Sequence, residues 1–527
     1  MRIGVDVGGT NTDAVIMDGA EVVAAVKTVN TGDVSAGIVE AIEEALTQAA
    51  VSPPEVRAVM IGTTQLTNAI VERVRLARVA VLRLCLPSNT DLAPMADWPA
   101  DLAGAVVDTS YWIPGGYELD GTEIAPLGEQ EVAAAARDIR QRDVRYVAIS
   151  GVFSPLDDAM EKRAAEIVRA ECPDVHITLS CELGRIGMME RENAAIMNAA
   201  LTDVSNQVSA AFHQALVTLG IKAPFYLSQN DGTLMSVEYA RRYPVLTFAS
   251  GPTNSMRGAA FLCGRGFDEA IVVDIGGTTT DVGALKNGFP RETSTPVAIG
   301  GVRTNFRMPD ILSIGLGGGS TVTFSEGCQV GPNSVGFALK EKALVFGGDV
   351  MTATDVAVAK GGAQIGDSAL VADLPSDRVS QADERVHQLI DTAIDRMKVS
   401  ATPVPVVLVG GGNVLVSRQL RSAADLHVPK HAEVANAVGA ALAQVGGETD
   451  RIYSYDDLGR DGAIEQAVAG ARTQAIVAGA DPASVHLVDL EEIPLAYLRG
   501  GAVRLRAKVV GDLHIGDDGC TTAETDG

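Results

Sequence analysis

Two short loops carry the residue types that could bind phosphate. Residues 6–13 read Asp-Val-Gly-Gly-Thr-Asn-Thr-Asp, and residues 274–281 read Asp-Ile-Gly-Gly-Thr-Thr-Thr-Asp, so six of the eight positions are identical. Each copy follows a short apolar run that is typical of a buried strand. Two such loops that face each other could hold the phosphates of a nucleotide from both sides.

The chemistry of each loop follows from its residue types. Paired glycines permit positive φ and close approach of the backbone to a ligand, consecutive N–H groups form a nest for anions, and threonine hydroxyls add donors. A strand that simply ends in a Gly-Gly turn is the alternative, and the matched repeat makes it the weaker one. The residues predicted to hold phosphate are Gly8, Gly9, Thr10, Asn11 and Thr12 in the first loop, and Gly276, Gly277, Thr278, Thr279 and Thr280 in the second.

The acidic residues of the loops predict a cation. A carboxylate beside phosphate repels it unless a cation lies between them, and Mg²⁺ binds in this way while keeping much of its water. Asp6 and Asp274, which open the two loops, are therefore the predicted metal residues.

Two more glycine-rich segments follow predicted strands. Residues 315–320 contain four glycines in five positions, and the flanking apolar runs favour a third wall of the pocket over a flexible linker. Residues 410–413 lie between a strand and a helix and could place backbone against an adenine or ribose, although such a turn is weak evidence alone. The predicted binding residues of these segments are Gly317, Gly318, Gly410, Gly411, Gly412 and Asn413.

The composition is ordinary for a soluble α/β enzyme and excludes several classes. The net charge of −25 argues against a nucleic-acid partner, because binding of phosphate backbones needs clustered Lys and Arg. Six cysteines occur without a Cys-x-x-Cys pair, so structural zinc is not expected. A signal peptide, a membrane-spanning run, a Walker loop, a histidine metal motif and a nucleophile elbow are all missing, which predicts a cytoplasmic protein without a membrane partner.

The elements that must position the loops alternate between strand and helix, which predicts parallel or mixed sheets with crossover helices. The 527 residues are too many for one core. We predict a domain over residues 1–180 with the first loop, a domain over 181–447 with the second loop, and a small α+β unit over 448–527 that follows a hinge at Gly446-Gly447. The small-residue helix near 435–441 is predicted to allow close helix packing and to have no chemical role.

With these residues assembled, the chain resembles the hydantoinase/oxoprolinase family, specifically its HyuA-type ATP-binding subunit. The resemblance covers most of the chain, and its segments occur in family order. They are residues 4–10, Gly62-Thr63-Thr64 with Thr67-Asn68, residues 190–193 with Asn198, residues 229–232, Ser250-Gly251-Pro252, residues 274–282, residues 313–320, Val330-Gly331-Pro332 and Thr354-Asp355.

This resemblance implies two ribonuclease H-like domains of the actin, Hsp70 and sugar kinase superfamily that close on ATP and Mg²⁺. It implies phosphorylation of the carbonyl of a cyclic amide (a hydantoin, 5-oxoproline or a lactam) for ring opening, often with a second, HyuB-like subunit in a homo- or hetero-oligomer. The implied catalytic carboxylates are Asp6, Asp13, Asp274 and Asp281, and the implied substrate residues are Thr63, Thr64, Asn68, Ser250 and Gly251.

The chain also departs from the family pattern. Ile61 stands where the family usually has His, Asn11 stands where an aromatic residue is common, and the segment after Gly447 is short. Two other functions therefore stay open: a small-molecule kinase of the same superfamily, and a non-catalytic ATP-gated activator. Ser250-Gly251-Pro252 and residues 313–320 favour the amidase, because those motifs belong to the hydantoinase resemblance.

Overall fold

The computed structural model describes residues 1–8, 11–29, 34–88, 90–184, 186–264, 269–293, 297–305, 308–325, 327–442, 444–495 and 501–514. Within these residues the protein is an α/β molecule with mixed sheets. A nine-stranded sheet and a six-stranded sheet contain the two loops, and a four-stranded parallel sheet and two small hairpins complete the strands. No helix in these ranges has the length and apolar character needed to cross a bilayer.

The strands are, in chain order, β1 (Arg2–Val7), β2 (Asn11–Asp18), β3 (Glu21–Val29), β4 (Ala58–Thr63), β5 (Val79–Leu86), β6 (Val107–Pro114), β7 (Tyr146–Gly151), β8 (His176–Leu179), β9 (Phe225–Ser228), β10 (Leu234–Ser236), β11 (Glu269–Ile275), β12 (Thr280–Lys286), β13 (Phe289–Pro290), β14 (Val297–Ile299), β15 (Val302–Thr304), β16 (Ile311–Ile314), β17 (Ser320–Thr323), β18 (Gln329–Ser334), β19 (Val404–Val409), β20 (Ala423–His427), β21 (Gln444–Ser454), β22 (His486–Pro494) and β23 (Ala502–Asp512).

The helices are α1 (Val34–Ala49), α2 (Gln65–Glu72), α3 (Ala100–Val106), α4 (Glu129–Gln141), α5 (Ala159–Glu171), α6 (Met188–Thr218), α7 (Val237–Arg242), α8 (Ser250–Leu262), α9 (Leu339–Lys342), α10 (Ala353–Ala359), α11 (Ser376–Met397), α12 (Ala435–Ala440) and α13 (Tyr455–Val477). Helix α11 shows how the sequence selects these elements. It buries Val379, Val386, Ile390 and Ile394 along one face, at the spacing that an amphipathic helix requires.

The duplication of the loops extends to the sheets around them. In the first sheet, β1, β2 and β3 are antiparallel neighbours, and β4 and β9 continue from β1 as parallel strands. In the second sheet, β11, β12 and β16 are antiparallel neighbours, and β19 and β20 continue from β11 as parallel strands. Each loop therefore joins the first and second strands of an equivalent five-strand unit.

Two crossing helices join the two sheets. Helix α12 packs on β1, β2 and β4 of the first sheet, α8 packs on β11, β12 and β19 of the second, and the two helices pack on each other. A Cβ atom added to Gly258 of α8 would overlap the carbonyl oxygen of Ala435, and one added to Gly439 would overlap that of Asn254. Glycine is required at both positions because the two backbones are in direct contact.

The long link between β13 and β16 of the second sheet also contacts the first sheet and its helices. Glu292 accepts hydrogen bonds from Arg506, and from Lys508 at 3.0 Å, both of which lie on β23. The β14–β15 hairpin meets the N-terminal end of α6, where Asn193 Nδ2 donates to the carbonyl oxygen of Arg303 at 2.9 Å. The link thus holds the two sheets together beside the helix crossing.

The predicted hinge at Gly446-Gly447 is wrong. Both glycines lie inside β21, which pairs with β10 and β23, so the C-terminal strands extend the nine-stranded sheet. A Cβ atom on Gly447 would overlap the carbonyl oxygen of Ala471. The glycine is therefore a packing requirement of α13, not a flexible joint. The predicted boundaries at 180 and 447 stay predictions, and the first sheet takes strands from both sides of each.

This packing gives a prediction about stability. Gly447→Ala should lower the free energy of unfolding by about 1–3 kcal/mol, because the added methyl group must displace α13 from the sheet. Gly462→Ala on α13 is the matched control. Its Cβ atom would meet only a side-chain carbon of Leu458 at 3.9 Å, so that variant should be neutral or more stable by up to about 1 kcal/mol. Thermal and denaturant unfolding measure both, and equal effects of the two substitutions would contradict the packing argument.

Candidate functional site

The two loops begin with the same turn. The N–H of Gly8 donates to the carbonyl oxygen of Asn11 at 3.0 Å, and the N–H of Gly276 donates to that of Thr279 at 2.9 Å. The predicted phosphate residues Gly9 and Thr10 lie outside the described residues. The shared turn shows that the sequence repeat is also a repeat of backbone geometry.

A row of polar side chains crosses three neighbouring strands behind each loop. In the first sheet Asp6 lies opposite Asp13, and Asp13 lies opposite Lys27. Lys27 Nζ is 2.6 Å and 2.7 Å from the two carboxylate oxygens of Asp13. The charge of Asp13 is therefore balanced within the row, and one carboxylate, Asp6, is left over.

The equivalent row of the second sheet has no cation. Asp274 lies opposite Asp281, and Asp281 lies opposite Ser313, which stands where Lys27 stands in the first row. The Ser313 hydroxyl donates to Asp281 Oδ1. A hydroxyl stabilises a carboxylate without neutralising it, so the second row carries more negative charge than the first when both are ionised.

Asn436 of α12 links the two carboxylates of the first row. Its Nδ2 donates to Asp6 Oδ2 at 2.8 Å and to Asp13 Oδ2 at 2.9 Å, while its Oδ1 accepts from the N–H of Ala437 at 2.9 Å. The helix packs closely, as predicted, and it also supplies a hydrogen-bond donor to both carboxylates, which the sequence did not predict. The residue was missed because a small-residue helix indicates packing, and nothing local shows where one amide will point.

The two loops lie within electrostatic range of each other. Burial is the main cause that raises the pKa of Asp6 to about 7, and the neighbouring charges of Asp13 and Asp274 raise it further. Asp274 keeps partial contact with solvent, and desolvation by the surrounding protein still raises its pKa, with a smaller contribution from Asp281. The first loop's Asp6 and the second loop's Asp274 therefore influence each other's charge state.

The site fits a cation that is held through water. No group of three or more His, Cys, Asp or Glu suited to a metal occurs in the described part of the chain, which excludes a cage of protein ligands there. Asp6 Oδ1, however, is buried and has no hydrogen-bond donor among the described residues. Asp6 and Asp274 would hold Mg²⁺ through its bound water, and phosphate oxygens would occupy other positions around the ion. This is the coordination that Mg²⁺ prefers.

Open space lies beside two glycines of the second sheet. A Cβ atom added to Gly277 or to Gly411 would meet nothing within 4 Å, so a ligand can approach the backbone at both positions. Gly410 and Gly412, by contrast, pack against the second loop: a Cβ on Gly410 would overlap Asp274 Oδ1, and the N–H of Gly412 donates to the carbonyl oxygen of Ile275 at 2.7 Å. Residues 410–412 thus border the cleft beside the second loop, and Asn413 begins the short turn that follows.

Three predicted binding residues of the second lobe have structural roles here. Gly317 and Gly318 are buried beneath the second loop, and the N–H of Gly318 donates to the carbonyl oxygen of Gly276 at 3.0 Å. They support the loop from below and do not form a third wall of the cleft. The Thr280 hydroxyl donates to the carbonyl oxygen of Leu316 at 2.7 Å, so this loop offers a ligand the hydroxyls of Thr278 and Thr279 instead. Thr12, the counterpart of Thr280, is likewise buried.

The predicted substrate residues meet at the ends of α2 and α8. Ser250 Oγ donates to the carbonyl oxygen of Thr63 at 3.2 Å, and a Cβ on Gly251 would contact the Thr64 methyl group at 3.6 Å. Thr63 and Ser250 are fully buried, so they shape the site from behind, whereas Thr64 and Asn68 are half-buried. The N–H of Thr64 approaches the carbonyl oxygen of Val7 at 3.4 Å, which places this cluster beside the first loop.

Lys27 and Ser255 are further site residues that the sequence analysis missed. Lys27 could not be found by counting pairs from the Asp18-Gly19 turn, because a bulge between Ile16 and Met17 shifts the register by one residue and brings Lys27, in place of Val26, opposite Asp13. Ser255 interacts with the Asp274 carboxyl group in the sense that lowers its pKa, and it lies three residues before Gly258, as Asn436 lies three residues before Gly439. This second repeat, a polar residue three positions before a glycine, is the sequence signal that could have assigned both helices to the site.

The fold and the site together define a mixed-sheet α/β protein with a duplicated loop of glycines and aspartates. The family model of the hydantoinase/oxoprolinase N-terminal region matches residues 2–172, and that of hydantoinase/oxoprolinase matches residues 191–404. The chain belongs to the hydantoinase/oxoprolinase family, as its motifs indicated.

Named relatives agree with this assignment. The chain is 29% identical over 385 residues to the caprolactamase subunit alpha of Pseudomonas jessenii, which covers 68% of this chain and 54% of that protein. It is 26% identical over 391 residues to the acetophenone carboxylase gamma subunit of Aromatoleum aromaticum, covering 68% of this chain and 53% of that protein. The chain thus spans about half the length of these relatives.

Two solved structures show the same fold. The ATP-dependent caprolactamase of Pseudomonas jessenii aligns with a TM-score of 0.77 at 21% identity and covers 97% of this chain and 87% of its own. The nucleotide-free acetone carboxylase aligns with a TM-score of 0.67 at 18% identity and covers 97% of this chain and 88% of its own.

The buried carboxylate of Asp6 predicts how stability depends on pH. With a pKa of about 7 in the folded state and about 4 when unfolded, Asp6 makes the folded state bind more protons between these values, so stability falls as pH rises through 7. Asp6→Asn should therefore gain about 2–3 kcal/mol relative to the natural protein between pH 5 and pH 8. Unfolding in metal-free buffer measures this difference.

The control for this experiment is Asp461→Asn, whose side chain is fully exposed. It should leave the pH dependence of unfolding unchanged. A natural protein and an Asp6→Asn variant with parallel stability profiles from pH 5 to pH 8 would show that Asp6 is ionised throughout.

Proposed function

We propose that this chain is the ATP-dependent subunit of an enzyme that phosphorylates the carbonyl oxygen of a cyclic amide for ring opening. The observation that carries the proposal is the pair of equivalent loops, each followed by the same row of facing aspartates, on two sheets that the contacting helices α8 and α12 join. The relatives support it, because they include an ATP-dependent caprolactamase. Hydantoins, 5-oxoproline and lactams are the substrate class.

The strand order of the two sheets supports a duplicated ribonuclease H-like fold of the actin, Hsp70 and sugar kinase superfamily. Both five-strand units have three antiparallel strands followed by two parallel ones. In that arrangement the two loops bind phosphate from opposite sides, and residues 410–413 lie on the adenosine side.

The residues of the chain have distinct tasks in this proposal. When bound, Mg·ATP supplies the phosphoryl group that makes an unreactive amide carbonyl a better electrophile. The backbone N–H groups of the second loop around Gly277, together with the hydroxyls of Thr278 and Thr279, bind phosphate oxygens. Asp6 and Asp274 would orient the water of the metal, while Lys27 pairs with Asp13 and anchors it. Preorganised charges of this kind stabilise the transition state without reorganisation during the reaction.

The carboxylase relatives favour a second candidate function. Subunits of acetophenone carboxylase and acetone carboxylase match 68% and 42% of the chain, and ATP-dependent activation of a carbonyl oxygen would serve carboxylation as well as hydrolysis. All three named relatives are subunits, which supports a partner chain, of HyuB type or another kind, for this protein as well.

A substitution in the second loop tests the proposed role of its carboxylate. Asp274→Asn should lower ATP turnover by about 100-fold or more, because it removes a preorganised charge from the phosphate site. Asp425→Asn, an exposed position on β20 of the same sheet, should keep full turnover. Phosphate release by the folded variants measures both, and full activity of Asp274→Asn would exclude the role in the metal site.

A substrate panel separates the candidate functions. Hydantoins, 5-oxoproline, lactams and ketones with bicarbonate are supplied with ATP, with and without the product of the neighbouring gene. An amidase releases phosphate and a ring-opened acid, a carboxylase requires bicarbonate, a kinase leaves a stable phosphorylated product, and an activator hydrolyses ATP slowly whatever is added. Phosphate release that no cyclic amide stimulates, in either condition, would contradict the amidase.

A further inference from the structure

We propose that Asn436 and Ser255 are positioning residues through which the α8–α12 crossing sets the geometry of both carboxylate rows. Each residue lies on the helix that follows one sheet in the chain. Asn436 donates to Asp6 and Asp13 of the other sheet, and Ser255 occupies the equivalent position on α8, the helix that packs on the sheet of Asp274. The proposal rests on the nucleotide site proposed above and adds a mechanism that couples the two lobes to it.

The equivalence of the two helices carries this inference. Ser255 and Asn436 each lie three residues before a crossing glycine, and each glycine contacts the residue four positions before the other: Gly258 meets Ala435, and Gly439 meets Asn254. The crossing is therefore symmetric to the level of single residues. The side chains of Ser255 and Asn436 extend from the crossing in opposite directions, one toward each loop.

The contact leaves little freedom for independent motion. Because the backbones touch at both glycines, one helix cannot shift along or toward the other without an atomic overlap. Lys27 adds a second connection on the first side, since its Nζ also donates to the carbonyl oxygen of Glu433 at 3.2 Å, just before α12. A change in the angle between the lobes must therefore move Asn436 relative to Asp6, and Ser255 relative to Asp274.

Replacement of Asn436 by an apolar residue of similar size tests the inference. Asn436→Leu removes both hydrogen bonds and should lower kcat for ATP turnover by about 10- to 100-fold, the usual cost of losing a group that orients a metal-site ligand. KM for ATP should change much less, because the phosphate-binding backbone is intact. Asn436→Ser, which keeps one hydroxyl donor as Ser255 does, should restore part of kcat.

The matched control separates positioning from general stability. Asn198→Leu removes another buried amide, which donates to Thr178 at 3.2 Å and to the carbonyl oxygen of Arg242 at 2.8 Å, far along the chain from both loops. It should lower the melting temperature and leave kcat per folded molecule unchanged.

Gly439→Ala tests the helix crossing itself, and it should lower kcat while Asn436 is still present. The double variant Asn436→Leu with Gly439→Ala should have a kcat no lower than that of the poorer single variant.

Hydrogen exchange of the nucleotide-free protein gives a readout that does not depend on turnover. Loss of a hydrogen bond to a charged group should make amides of β1, of β2 and of the segment 432–441 exchange about tenfold faster in Asn436→Leu, with the β5–β8 sheet unchanged. Unchanged exchange in those segments, or equal loss of kcat in Asn436→Leu and Asn198→Leu, would overturn the inference. Failure of the natural protein to bind ADP in calorimetry would instead overturn the proposed function, whatever the exchange shows.

Discussion

Repulsion between carboxylates that share one cleft is the constraint on which this structure depends. Asp6 and Asp13 come from one sheet, and Asp274 and Asp281 come from the other. Buried like charges destabilise a protein unless cations or hydrogen-bond donors face them. The protein supplies Lys27, Asn436, Ser255 and Ser313 for this purpose. These donors balance one carboxylate completely and leave the remaining charge for a bound cation.

The duplication is symmetric in its framework and asymmetric in its charge. The five-strand units of the two sheets have the same strand order, both loops have the same backbone hydrogen bond at their start, and both crossing helices carry a polar residue three positions before a glycine. The third strand differs: Lys27 in the first sheet corresponds to Ser313 in the second. The more negative row, which also retains contact with solvent, is therefore the side of the cleft that most favours a cation.

The sequence was sufficient to predict the parts of the fold and site that depend on local pattern. The repeated loops, the strand-helix alternation and the family motifs identified the α/β class, the carboxylates and the glycines that surround Asp274. The sequence was insufficient where a residue's role depends on contact between distant segments of the chain. Asn436 lies 430 positions from Asp6, and only the folded chain brings its amide to that carboxylate. Likewise, Gly446 and Gly447 resemble a hinge until a helix is packed against the strand that contains them.

The central claim is that the two loops bind one nucleotide together through a cation. Calorimetric titration of the natural protein with a non-hydrolysable ATP analogue, in the presence of Mg²⁺ and again after its chelation, tests this claim most directly. The account predicts one nucleotide per chain and a large loss of affinity without Mg²⁺, because the unbalanced carboxylates would then repel the phosphates. Absence of binding, or an affinity that is the same with and without Mg²⁺, would contradict it.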